Sequence, residues 1–151
     1  MLEETQNLDP EATAALASRL RLAITRTSRR LRQQAGSGLS PSQSSALAAI
    51  DVHGPLTPSE LAEREQVKRP TATRVVARLA SEGLVARTAD PTDARSALLA
   101  TTPAGRSLAA RMRKRKNAYL ARRIRNLPAE DLAALERTVE VLEHLLDGDN
   151  P

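Results

Sequence analysis

Residues 57–106, TPSELAEREQVKRPTATRVVARLASEGLVARTADPTDARSALLATTPAGR, limit the fold more than any other stretch of the chain. Apolar residues recur at helical spacing in a short segment and, after a turn, again in a basic one. Between Gly83 and Thr101 the helical period fails, and residues 84–87 and 96–99 look like two short strands joined by a charged tip containing Pro91. Helix, turn, basic helix and hairpin, in that order, are the parts of a winged helix-turn-helix. That shape seats one helix in the DNA major groove with the hairpin tip beside it.

The rest of the chain is helical by its punctuation. Asp9-Pro10, Ser40-Pro41, Thr57-Pro58 and Thr102-Pro103 each set a capping side chain before a proline at the first helical position. Proline is tolerated there because its missing N–H has no intrahelical partner to lose. Ser40 with Gln43 and Thr57 with Glu60 complete capping boxes, and Leu56 and Leu61 stand at the positions of a hydrophobic staple. These signals predict helices over about 9–34, 40–52, 57–64, 69–82, 102–126 and 128–147, broken by Ala35-Gly36-Ser37-Gly38 and by His53-Gly54-Pro55. With 151 residues and no repeat or linker, the chain reads as a single domain, 1–151. The fold class is mainly α with a small β-hairpin wing: a winged helix-turn-helix at 40–101 between N- and C-terminal dimerisation helices at 9–34 and 102–147.

The dimer follows from what the core lacks. Tyr119 is the one aromatic residue, and the apolar mass is Ala, Leu and Val, which favours helix but buries little aromatic area. Leu16, Leu20, Ile24, Thr27 and Leu31 form one stripe; Leu132, Leu135, Val139, Leu142 and Leu146 form another with a/d alternation. Val141 and Leu145 widen the second beyond what one neighbouring helix needs. Burial within one protomer is the plainer use of such stripes. The missing aromatics favour a homodimer made by the chain ends, with Leu16, Leu20, Leu135, Val139, Leu142 and Leu146 at the interface.

Charge is segregated along the chain. Residues 12–50 hold six Arg and no acid, residues 94–129 hold ten Arg or Lys and no acid, and residues 130–151 hold seven acids against Arg137. A charge run is ordinarily a solvated face, but two basic stretches flanking a helix-turn-helix pattern point to a polyanion, here double-stranded DNA. Non-specific, architectural DNA binding is the alternative that all-round basic helices support. The chain has no cysteine, so disulfides and thiol chemistry are excluded, and no apolar run approaches the ~20 residues that span a bilayer. The polar, acidic start MLEETQNLDPE does not suit a secretory signal, and a cytoplasmic location without membrane contact is expected. No catalytic constellation or phosphate-cradling glycine loop is visible, so the chain does not read as an enzyme, and no cofactor is implied. His53 and His144, the two histidines, lie far apart in sequence, which leaves no metal site.

Within 69–82, Ala72, Val75, Val76 and Leu79 share one face, while Thr71, Arg74 and Arg78 share the other, with Lys68, Arg69 and Thr73 near the start. Arg74 is the candidate for bidentate contact to a guanine edge, since its planar fork matches O6 and N7. Thr71 suits a thymine methyl or a phosphate. In the tip, Asp93 stands two residues before Arg95 and can hold that guanidinium by a charge-assisted bond, presenting it to the minor groove. A plain solvated turn is the other reading of the tip.

Together, Thr57…Glu60-Leu61-Ala62, Pro70-Thr71-Ala72-Thr73-Arg74, Leu79…Gly83-Leu84-Val85…Arg87, Asp90-x-x-Asp93-x-Arg95 and Thr102…Gly105 resemble the multiple antibiotic resistance regulator (MarR) family. The resemblance is tight over 56–106, and the flanking helices agree in order and length without a motif of their own. It implies a homodimeric transcriptional regulator, usually a repressor, on a pseudo-palindromic operator. Recognition-helix roles would fall on Arg69, Thr71, Thr73 and Arg74, and wing roles on Asp93 and Arg95. It also implies, as for many members, release by a small phenolic or anionic effector bound between the dimer region and the winged helix. In this chain such a pocket would be built from aliphatics, Met112, Tyr119 and arginines such as Arg26 or Arg30, though core packing explains Met112 and Tyr119 as well. Thiol-based peroxide sensing is impossible without cysteine. The basic run 111–125 is unusual for such a chain; its charges can reach phosphates or pair with the acidic C-terminal helix.

Overall fold

A computed structural model describes residues 9–147. The first eight residues, most of the stretch weighed above as a signal, lie outside it, as do residues 148–151. The elements run α1 (Pro10–Ala35), α2 (Pro41–His53), α3 (Pro58–Arg64), α4 (Arg69–Ser81), β1 (Val85–Ala89), β2 (Ala97–Thr101), α5 (Pro103–Ile124) and α6 (Ala129–Asp147). No helix among the described residues is long and apolar enough to cross a membrane.

The caps act as their side chains predict. Asp9, Ser40, Thr57 and Thr102 each accept a bond from the third backbone N–H beyond them, and the boxes at Ser40–Gln43 and Thr57–Glu60 close in both directions. The glycines that matter are tertiary. A Cβ on Gly105 would strike the carbonyl of Leu84, so α5 starts hard against the entry to the hairpin. Thr102 stitches the same junction: its hydroxyl donates to the Gly83 carbonyl at 2.6 Å and accepts from the Gly105 N–H at 3.0 Å.

The strands differ from the sequence reading. They pair antiparallel from Val85↔Thr101 to Ala89↔Ala97, starting and ending one or two residues later than 84–87 and 96–99. Ala89 and Ala100 have little strand character of their own; the ladder set by the tip carries them into the sheet. Leu56 adds an isolated antiparallel bridge outside this ladder, exchanging backbone bonds with Leu99 at 3.1 and 2.7 Å.

The core lies wholly between Ala35 and Met112: Leu47, Ile50, Leu56, Leu61, Val76, Leu79, Leu84, Val85, Leu99, Ala109 and Met112. Leu47, Ile50, Leu61, Val76, Leu79 and Leu99 are at most 1% exposed. The ends contrast sharply. α1 contributes only Ala35 to the buried set, and α6 contributes nothing. Leu16, Leu22, Ile24, Val139, Val141, Leu145 and Leu146 all face solvent in the protomer, Leu146 at 73%.

Candidate nucleic-acid interface

The helix-turn-helix is built on the buried sides of its two helices. Leu61 and Ala62 anchor α3, while Ala72, Val76 and Leu79 anchor α4, with Val75 half-buried beside them. Between the helices the chain turns at Gln66, which takes a left-handed conformation (φ 51°), and the Val67 N–H bonds back to the Ala62 carbonyl at 2.9 Å. That tight reversal sets the angle at which α4 leaves the domain.

The outer face of α4 then carries Lys68, Arg69, Thr71, Thr73, Arg74 and Arg78, all exposed. Unlike α1, α2, α3 and α5, α4 starts without a side-chain cap, since Lys68 provides none, and the Arg69 N–H has no partner among the described residues. An uncapped N-terminus flanked by two cations favours a bound anion through the helix dipole. Among the described residues Arg74 makes no hydrogen bond or ion pair. Arg78 is partly engaged: its Nε donates to Glu82 Oε1 at 3.0 Å on an exposed face, which leaves its other donors free.

The wing tip is ordered by its acids, though differently from the expectation. Asp93 does not hold the Arg95 guanidinium; its Oδ1 accepts from the Arg95 backbone N–H at 3.0 Å, while the Asp93 carbonyl accepts from Ser96 N–H. A carboxylate two residues upstream reaches the backbone N–H with less chain to order than the far end of an arginine needs. Arg95 is thus exposed, its guanidinium unpaired among the described residues, and Asp93 shapes the loop beneath it. Asp90 caps the same loop: its Oδ1 accepts from the Thr92 N–H at 2.9 Å and the Thr92 hydroxyl at 2.7 Å, and these bonds hold its carboxyl below its ordinary value.

The suggested effector residues do not meet within the protomer. Arg26 and Arg30 line a shallow depression on α1 with Arg29 and Gln33. Met112 is 3% exposed and belongs to the core, touching instead a cavity of about 230 Å³ between α2 and α5 with Ala48, Val52, Arg113, Lys116 and Asn117. Tyr119 is half-buried, with the Arg123 guanidinium 3.7 Å over its ring. Periodicity could place Met112 and Tyr119 on one helix but not tell which neighbour each would face.

The basic run is likewise divided by its surroundings. Arg113 reaches Asp51 at 3.7 Å, Arg115 donates to the Ala35 carbonyl at the end of α1 at 3.1 Å, and Arg111 bonds Ser107. None pairs with an acid of α6 among the described residues. Asp51, which sequence reasoning passed over, stands where three elements meet. Its carboxylate on α2 faces Arg113 of α5 and lies 3.5 Å from the Thr101 hydroxyl of β2, which ties the wing and the DNA-binding helices to the long helix behind them. The one signal for it was its position as the first acid after a long acid-free stretch.

Comparison with known proteins agrees with this architecture. The sequence model of the MarR family matches residues 39–97, from the loop before α2 to the start of β2. An HTH-type transcriptional regulator of Mycobacterium tuberculosis is 37% identical over 138 residues, covering 91% of this chain and 96% of that protein. Among solved structures, a MarR family protein from Bacillus stearothermophilus superposes with a TM-score of 0.82 at 22% identity, covering 93% of this chain and 99% of that one. FabT of Streptococcus pneumoniae in complex with DNA superposes with a TM-score of 0.71 at 20% identity, over 91% of this chain and 96% of that one.

Proposed function

Because this chain belongs to the MarR family of transcriptional regulators, we propose that it acts in the cytoplasm as a homodimeric repressor on a pseudo-palindromic operator. In this reading α4 lies in the major groove, with Arg74 reading a guanine edge and Thr71, Thr73, Lys68, Arg69 and Arg78 contacting bases or phosphates nearby. Arg95 enters the flanking minor groove from a tip shaped by Asp93. The observation that carries the reading is the outer face of α4: its threonines and Arg74 are exposed and without side-chain partners among the described residues, on a helix whose inner face is locked into the core. A face held rigid yet left unsatisfied is ready to pair with base edges at little ordering cost.

Homodimerisation is supported by the terminal helices, where Leu16, Ile24, Leu132, Val139, Val141, Leu145 and Leu146 stay exposed within one protomer. The effector site that suits this chain is the cavity between α2 and α5. Met112 lines it with apolar surface, and Arg113 and Lys116 offer positive charge to a phenolic or anionic compound. Occupancy there would bear on the Asp51–Arg113 contact and hence on the angle between the DNA-binding lobe and α5.

Selection of bound sequences from random DNA tests the whole reading. The expected product is an inverted repeat with half-site centres about one helical turn apart, bound roughly 10³-fold or more tightly than random sequence at the same salt. Recovery of sequences without a repeat or a preference would favour non-specific, architectural binding.

A further inference from the structure

α5 is fastened to the DNA-binding lobe at two places. At its first turn Gly105 lies against the Leu84 carbonyl, and the Thr102 hydroxyl donates to the Gly83 carbonyl at 2.6 Å. Eight residues beyond Gly105, roughly 12 Å along the helix, Arg113 reaches back to α2. Its Nη1 lies 3.7 Å from Asp51 Oδ2, and the Thr101 hydroxyl of β2 donates to Asp51 Oδ1 at 3.5 Å. The Asp51 side chain is only 11% exposed, so its carboxylate is held inside this seam. The other ion pair among the described residues, Arg78–Glu82, lies within α4, so Asp51–Arg113 is the one that joins two elements. Apolar packing fixes this seam poorly. It holds the cavity of about 230 Å³ bordered by Ala48, Val52, Ala109 and Met112, and side chains facing a void lose the contacts that would set their separation. A single fastening leaves a pivot, whereas a second along the same helix sets an angle.

We infer that Asp51 and Arg113 are positioning residues for half-site spacing: their contact holds the lobe at one angle to α5 and so restricts the operator to one separation of its halves. The inference rests on the dimeric operator reading above and adds which side chains select the separation. One base pair more or less moves a half-site by roughly 3.4 Å and turns it by about 35° around the duplex. A lobe braced at two points follows that displacement only by losing one of them.

Asp51→Asn keeps the shape and removes the charge, and Arg113→Gln removes the partner at a solvent-facing site with little risk to folding. Thermal melts followed by circular dichroism check both. Each full-length variant is titrated with duplexes carrying the inverted repeat recovered by selection, at its own spacing and one base pair longer or shorter. The parent should prefer its own spacing about tenfold or more, and each variant should narrow that preference to about threefold or less. Preference for the selected half-site over a scrambled one, which belongs to α4, should persist. The double variant should relax spacing no further than either single one, since all three remove the same contact. Unchanged spacing preference with equal weakening on every duplex, or effects that add in the double variant, overturns the inference and leaves the operator reading standing. A parent indifferent to spacing overturns both.

Discussion

Replacing Arg74 by alanine isolates base reading from folding, because the guanidinium has no partner among the described residues and its helix is held by Ala72, Val76 and Leu79 on the opposite side. An exposed substitution without intramolecular bonds should change unfolding free energy by no more than about 0.5 kcal/mol. On DNA the loss is larger: a bidentate arginine–guanine pair contributes about 1–3 kcal/mol of discrimination. A symmetric dimer presents the residue twice, so the two half-sites together lose about 2–6 kcal/mol, roughly 30-fold to 10⁴-fold in preference for the operator. Random DNA of equal length senses only the lost charge and should be bound slightly less well. Competition titrations of the selected operator against its scrambled counterpart, at one salt concentration, measure the difference directly. Arg74→Lys completes the experiment, since it keeps the charge and discards the planar fork. It should hold random DNA like the parent yet lose most of the preference. Equal weakening of operator and scrambled DNA by Arg74→Ala, or full preference retained by Arg74→Lys, would refute base reading by this side chain.

Arg95→Ala should loosen the outer, A·T-rich flanks of the operator most; a footprint with those flanks still protected would remove the wing from the interface. Leu142→Asp strikes the apolar stripe of α6 twice per dimer, and losing about 1.5–3 kcal/mol of burial in each copy should raise the dissociation constant roughly 10²-fold to 10⁴-fold. An unchanged sedimentation profile would move the interface elsewhere. The Asp90 carboxyl is held low by the Thr92 N–H and hydroxyl, so its contribution to wing order is complete above the ordinary aspartate range and lost as pH falls through its depressed folded value. Thr92→Val should move that titration upward in an NMR pH series; an unmoved Asp90 resonance would show that the hydroxyl does not matter.

The parts of this protein that depend on neighbours in sequence were legible without coordinates. A serine or threonine before a proline, with an acid or amide three residues on, acts through bonds spanning three residues, so Ser40 and Thr57 mark helix starts wherever the helix goes. The two faces of α4 follow from the helical period alone, which is why Ala72, Val76 and Leu79 are buried and Thr71 and Arg74 are exposed. Tertiary structure alone decided what depends on distance through space. It drew Met112 into the core while Arg26 and Arg30 stayed at a depression on α1, and it joined Asp51 to Arg113 across sixty-two positions of chain. A side chain's local pattern restricts the face it occupies. Which partner it meets there is set by how whole helices pack, and that depends on every other buried surface at once.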